Sequence, residues 1–115
     1  MDHGRPEVLQ GTLDLMILKA LDALGPLHGF GIARRLEQVS DGILRLHEGT
    51  VYTALLRLGQ RGWIRSSWGV SERNRKARFY AITPAGRRRL SREEQGWKQI
   101  AGVVDRVMKL APEKE

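Results

Sequence analysis

The stretch Gly49-Thr50-Val51-Tyr52-Thr53-Ala54-Leu55-Leu56-Arg57-Leu58-Gly59-Gln60, then Arg61-Gly62, then Trp63-Ile64-Arg65-Ser66-Ser67-Trp68, changes its hydrophobic period in mid-course. Val51, Leu55 and Leu58, with Ala54 beside them, recur at helical spacing, whereas Trp63 to Trp68 alternates like a strand with Ile64, Ser66 and Trp68 on one side. A helix over about Gly49–Gln60, closed by Arg61-Gly62, therefore feeds directly into a strand. Arg78-Phe79-Tyr80-Ala81-Ile82 reads as the returning strand, with Tyr80 and Ile82 on one face. Between the two lies Gly69–Ala77, a polar loop with three basic groups against one acid. It is long for a hairpin loop, and such loops often carry function.

Upstream, apolar residues at 13, 16, 17, 20, 21 and 24 form a helical stripe, with Thr12 as N-cap and Gly25-Pro26 as stop. Leu15 and Leu18 lie off that stripe and form a second apolar patch in need of cover. Gly29 to Ser40 reads as a second helix with Ile32, Ala33, Leu36 and Val39 inward. Asp41-Gly42 ends it, and Ile43–Leu46 is an extended connector. Downstream, Thr83-Pro84 opens a last helix that continues to about Leu110. Its apolar or small positions 90, 97, 100, 104, 107 and 111 follow an a/d heptad broken only by Glu93. A narrow seam on a terminal helix needs a partner, and a second copy of the chain supplies one. The first seven residues and the end from Pro112 are expected to fray.

At 115 residues the chain holds one small domain. It has no cysteine, which excludes a disulfide scaffold, a thiolate nucleophile and Cys-ligated metals. Its three histidines, at 3, 28 and 47, are too far apart for a metal motif, and no cofactor is expected. The longest apolar run, Leu15–Leu18, is far too short to span a bilayer, so a cytoplasmic location is expected. The net charge is +7, and residues 45–92 alone carry 12 basic against 2 acidic groups. Such a concentration repels itself unless a polyanion receives it.

The order helix, helix, helix, hairpin, helix predicts a mainly α fold with a small β-hairpin. It is a winged helix-turn-helix over residues 1–83 joined to a long C-terminal dimerisation helix over 84–115, in one compact unit. In such a fold the third helix offers short polar residues to base edges in the major groove, and the hairpin reaches the adjacent backbone or minor groove. The second helix presents its first N–H groups to a phosphate.

Five segments carry a resemblance: LQGTLDL (9–15), GPLHGFGI (25–32), EGTVYTAL (48–55), RGWI (61–64) and RKARFYAITPAG (75–86). In this order and spacing they resemble the PadR-type transcriptional regulators, in the short form with a single C-terminal helix, from about Leu9 to Met108. The chain departs from that pattern at Thr53, where proline is usual, and at Gly59, where an acid is common. The resemblance implies a homodimeric repressor on an inverted-repeat operator in double-stranded DNA. It assigns Thr50, Tyr52, Thr53 and Arg57 to the groove and Arg73, Arg75, Lys76 and Arg78 to the wing. It places the dimer on the last helix and the start of the first, which the Leu15 and Leu18 patch supports independently; Leu90, Trp97, Ile100, Val104 and Val107 complete the interface. Some members of that family stack flat aromatic drugs between tryptophans at the dimer centre, so Trp97 is a candidate effector contact.

Each assignment has a plainer competitor. Tyr52 either contacts DNA or packs against the hairpin, and Thr50 either contacts DNA or caps its helix. Arg87, Arg88, Arg89 and Arg92 read as a solvated or ion-pairing face. His28 serves the start of the second helix and its packing, and His47 is a candidate phosphate contact. A winged-helix module for protein–protein assembly is the alternative function; it calls for a less basic wing and an apolar patch on the third helix, which this sequence lacks. An enzyme is not expected, since no nucleophile–base set, glycine-rich phosphate loop or apolar carboxylate pair is present.

Overall fold

The computed structural model describes residues 10–113; the N-terminal residues expected to fray, Leu9 of the first quoted segment and residues 114–115 lie outside it. In chain order the elements are α1 (Gln10–Leu24), β1 (Leu27–His28), α2 (Gly29–Val39), α3 (Glu48–Gln60), β2 (Ile64–Val70), β3 (Lys76–Ile82) and α4 (Pro84–Met108). This is the predicted winged-helix architecture, with one strand added.

α1 is the hub, touching α2, α3, α4 and β3. A helix with neighbours on several sides buries more than one stripe. Leu13, Ile17, Leu18, Ala20 and Leu21 are all buried. Leu18, at 1% exposure, is thus a residue of the protomer's own core and not of a free patch, and half-buried Leu15 leans on that core. Thr12 lies within the helix and is not its cap. α2 is capped by His28, whose Nδ1 accepts a hydrogen bond from the Gly31 N–H at 2.8 Å. Ile32 and Leu36 face inward as expected, whereas Val39 is exposed at the final turn. α3 buries Val51, Ala54, Leu55 and Leu58, the stripe read from the sequence.

β3 lies between β1 and β2 and is antiparallel to both. β1 pairs Leu27 with Tyr80 and His28 with Phe79. The hairpin strands extend further than expected, to the Val70–Lys76 pair, so the turn shrinks to Ser71–Arg75. Asn74 at φ 57° closes it, with the Ser71 N–H donating to the Arg75 carbonyl at 2.8 Å. Asn tolerates this left-handed conformation better than most residues.

The joint between hairpin and α4 is tight. The Thr83 hydroxyl accepts from the Gly86 N–H at 3.0 Å and donates to the Gly62 carbonyl at 2.7 Å. At Gly86 a Cβ would stand 2.0 Å from the Trp63 carbonyl oxygen, so only glycine fits. Arg87 pairs with Asp22 of α1, and Arg89 pairs with Glu93 while lying over the Trp63 ring. Of the four arginines read as a solvated or ion-pairing face, Arg87 and Arg89 pair while Arg88 and Arg92 are exposed, and the Arg89 pair accounts for the acid that breaks the heptad. Leu90 is buried in the core, which corrects its assignment to the dimer interface. Beyond it α4 projects: Trp97, Ile100, Val103, Val104, Val107 and Met108 are all exposed.

Candidate nucleic-acid interface

One face of the hairpin carries Ile64, Ser66, Trp68 and Val70 on β2 opposite Ile82, Tyr80, Arg78 and Lys76 on β3. Ile64 and Ile82 anchor its inner end in the core. Moving outward, the same face runs alongside α3, and the two enclose a groove of about 530 Å³ lined by Tyr52, Leu56, Gln60, Ser66, Arg78 and Tyr80 among others. The exposed side of α3 and this face of the wing therefore form one concave surface. Burial pushes the Tyr80 phenol up from its ordinary value, Tyr52 adds to the shift and Arg78 opposes it.

On α3, Thr50 is exposed and makes no capping bond; His47, at the N-cap position, supplies no side-chain cap either. Tyr52 is half exposed, with its ring laid against Gly29 at the start of α2, where a Cβ would come within 3.1 Å of it. The plainer reading of Tyr52 therefore holds in part, against α2 as well as the hairpin groove. The Thr53 hydroxyl donates back to the Gly49 carbonyl at 2.8 Å, a bond within its own helix.

Arg57 differs most from its expected place. Its guanidinium grips Asp14 of α1 through Nε at 3.1 Å to Oδ2 and through Nη2 to Oδ1, with both side chains mostly buried. The hydrogen bond to Asp14 holds Arg57 above its ordinary value. A forked pair of this kind is among the stronger polar contacts in proteins. It clamps α3 to α1 and takes Arg57 out of the groove-facing group. Leu56 is a second departure: at 65% exposure it gives α3 an apolar outer residue beside Tyr52.

Arg73 and Arg75 stand exposed on the turn, Lys76 is on β3 and not in the loop, and Arg78 is on β3 as expected. Trp68, directly across from Arg78 and exposed, was not among the expected contacts; Lys76 and Arg78 both lie over its ring. Its place on the Ile64 side was legible in the alternation. Asp14 carried no signal, since its partner is 43 residues away. Among the described residues, no group of three or more His, Cys, Asp or Glu could hold a metal ion.

The family model of the PadR-like transcriptional regulators matches residues 17–92. A transcriptional regulator from Clostridium thermocellum is 28% identical with a TM-score of 0.78, over 87% of this chain and 93% of that one. A PadR family transcription regulator from Clostridium difficile is also 28% identical, with a TM-score of 0.70 over 84% and 97%. An uncharacterized 37.1 kDa protein of a Streptomyces fradiae transposon is 40% identical over 90 residues, which are 78% of this chain. The chain spans about a quarter of the length of that curated relative.

Proposed function

Because the chain belongs to the PadR-like family of transcriptional regulators, which bind DNA and are not enzymes, we propose that it is a homodimeric repressor of an inverted-repeat operator. The observation that carries this reading is the concave surface shared by α3 and the wing, lined in part by Arg78, with Lys76 further out on the same strand face and Arg73 and Arg75 exposed on the turn, all four without ion-pair partners among the described residues. Thr50, Tyr52 and Thr53 address base edges, and the wing cations neutralise phosphates. The winged helix within residues 1–83 does the binding, and residues 84–115 do the pairing.

The dimer is formed by the projecting half of α4. Trp97, Ile100, Val104 and Val107 expose a run of apolar surface that a monomer rarely leaves in water. A two-fold seam along that run sets the spacing of two α3 helices, which then meet successive major grooves roughly 34–36 Å apart. Occupation of the operator blocks transcription sterically. Trp97 would form the wall of a site for a flat aromatic effector that loosens the seam and lowers operator affinity. Among the described residues no helix is long and apolar enough to cross a membrane, and a cytoplasmic location accords with this role.

Leu56 is the observation that favours the alternative, a protein–protein module. An apolar residue set among hydroxyl groups equally suits a thymine methyl in the major groove. Footprinting of the purified protein on its genome decides between them. Protected inverted repeats, bound about 10³-fold or more tighter than random DNA, are expected. No protected fragment, together with a stable heteromeric complex, would establish the alternative.

A further inference from the structure

Trp68 is an oddly placed tryptophan. It sits well out along the wing, 60% exposed, with no core to fill. Arg78 is its direct cross-strand partner, and Lys76 is the next residue of β3 on the same face. Lys76 Nζ lies 4.9 Å and Arg78 Cζ 5.1 Å from the ring centroid, both within cation–π range. Neither cation is in an ion pair among the described residues. The indole therefore gathers both cations at one place on the wing. The row faces the side of the hairpin that α3 shares.

A duplex backbone alternates anionic phosphates with largely apolar sugar faces. Two cations gathered on one flat apolar ring match that alternation, and cations already held in place lose less conformational freedom when they meet phosphate. Resting on the DNA-binding reading above, we propose that Trp68 is a backbone contact and a positioning residue. Its ring lies against a deoxyribose and aims Lys76 and Arg78 at the flanking phosphates.

The test uses the full-length protein and a mixed-sequence duplex titrated across a range of KCl concentrations, because a backbone contact is independent of sequence. Trp68→Leu is expected to bind about 10-fold more weakly, with the slope of log K against log salt reduced in magnitude by about 1. Trp68→Phe keeps a ring face and stays within about threefold of the parent. In a Lys76→Ala plus Arg78→Ala background, Trp68→Leu should cost far less than it does alone. Wild-type affinity and slope for Trp68→Leu, or losses that simply add, would overturn the proposal. Should Trp68→Leu fail to fold, acrylamide quenching of the parent's fluorescence replaces it. DNA is expected to shield one tryptophan, an effect missing in Trp68→Phe, and an identical response in both overturns the inference. If the parent binds no duplex at all, the DNA-binding reading itself fails, an outcome distinct from either.

Discussion

The concave face of α3 and the hairpin and the projecting half of α4 are both open to water, yet they are built from opposite materials. On the hairpin, Arg73, Arg75, Lys76 and Arg78 have no acidic partner among the described residues. On the projecting half of α4, Glu94 pairs with Lys98 and Asp105 with Lys109 at i,i+4, and the apolar run from Trp97 to Met108 is left uncovered. Uncompensated charge calls for a polyanion, whereas uncovered apolar surface with balanced charge calls for more protein. One protomer thus carries two unsatisfied surfaces that cannot satisfy each other.

Substitutions at either surface, or at the joint between them, separate the two roles. The largest effect is expected from Val104→Glu, which places a charge in the apolar run. Sedimentation should show a single-copy particle, and affinity for an inverted repeat should fall by about 10³-fold or more, toward that for random DNA. A persistent dimer would locate the seam elsewhere. Gly86→Ala attacks the joint, since its methyl group meets the Trp63 carbonyl. A loss of about 3 kcal/mol in chemical denaturation is expected, at the upper end for overpacking. Arg75→Ala with Lys76→Ala should leave the dimer intact, weaken all duplex binding by roughly 30-fold and lower the salt slope by about 2. Asp14→Asn should be mildest, lowering stability by about 1–2 kcal/mol through loss of the charge-assisted pair, without changing the oligomeric state. A thermal melt checks it.

Much of this division is legible in the sequence. The stripe Val51, Leu55 and Leu58 and the switch to alternation at Trp63 located α3 and β2 because each element repeats long enough to show its period. β1 has two residues, too few for any period, and exists because β3 offers it a free edge. Leu18 and Leu90 were misassigned for one shared reason. A helical pattern reveals which positions are apolar but not how many neighbours the helix has: α1 lies against several elements, and the first turns of α4 lie against α1 and, at Gly86, against Trp63 and Ile82. Arg57 is read into the groove-facing group from its place on α3 alone. The Asp14 that claims it belongs to another helix, and no local pattern links the two.

The Thr83 hydroxyl, bonded at once to Gly62 and Gly86, has a mechanical consequence. It welds the turn after α3 to the first turn of α4, and Gly86 closes the weld without a gap. A protomer jointed this way has the form of a crank whose longest dimension is 68 Å. If two such cranks meet along the distal shaft as proposed, a small roll of that shaft would reach the hairpin through this joint.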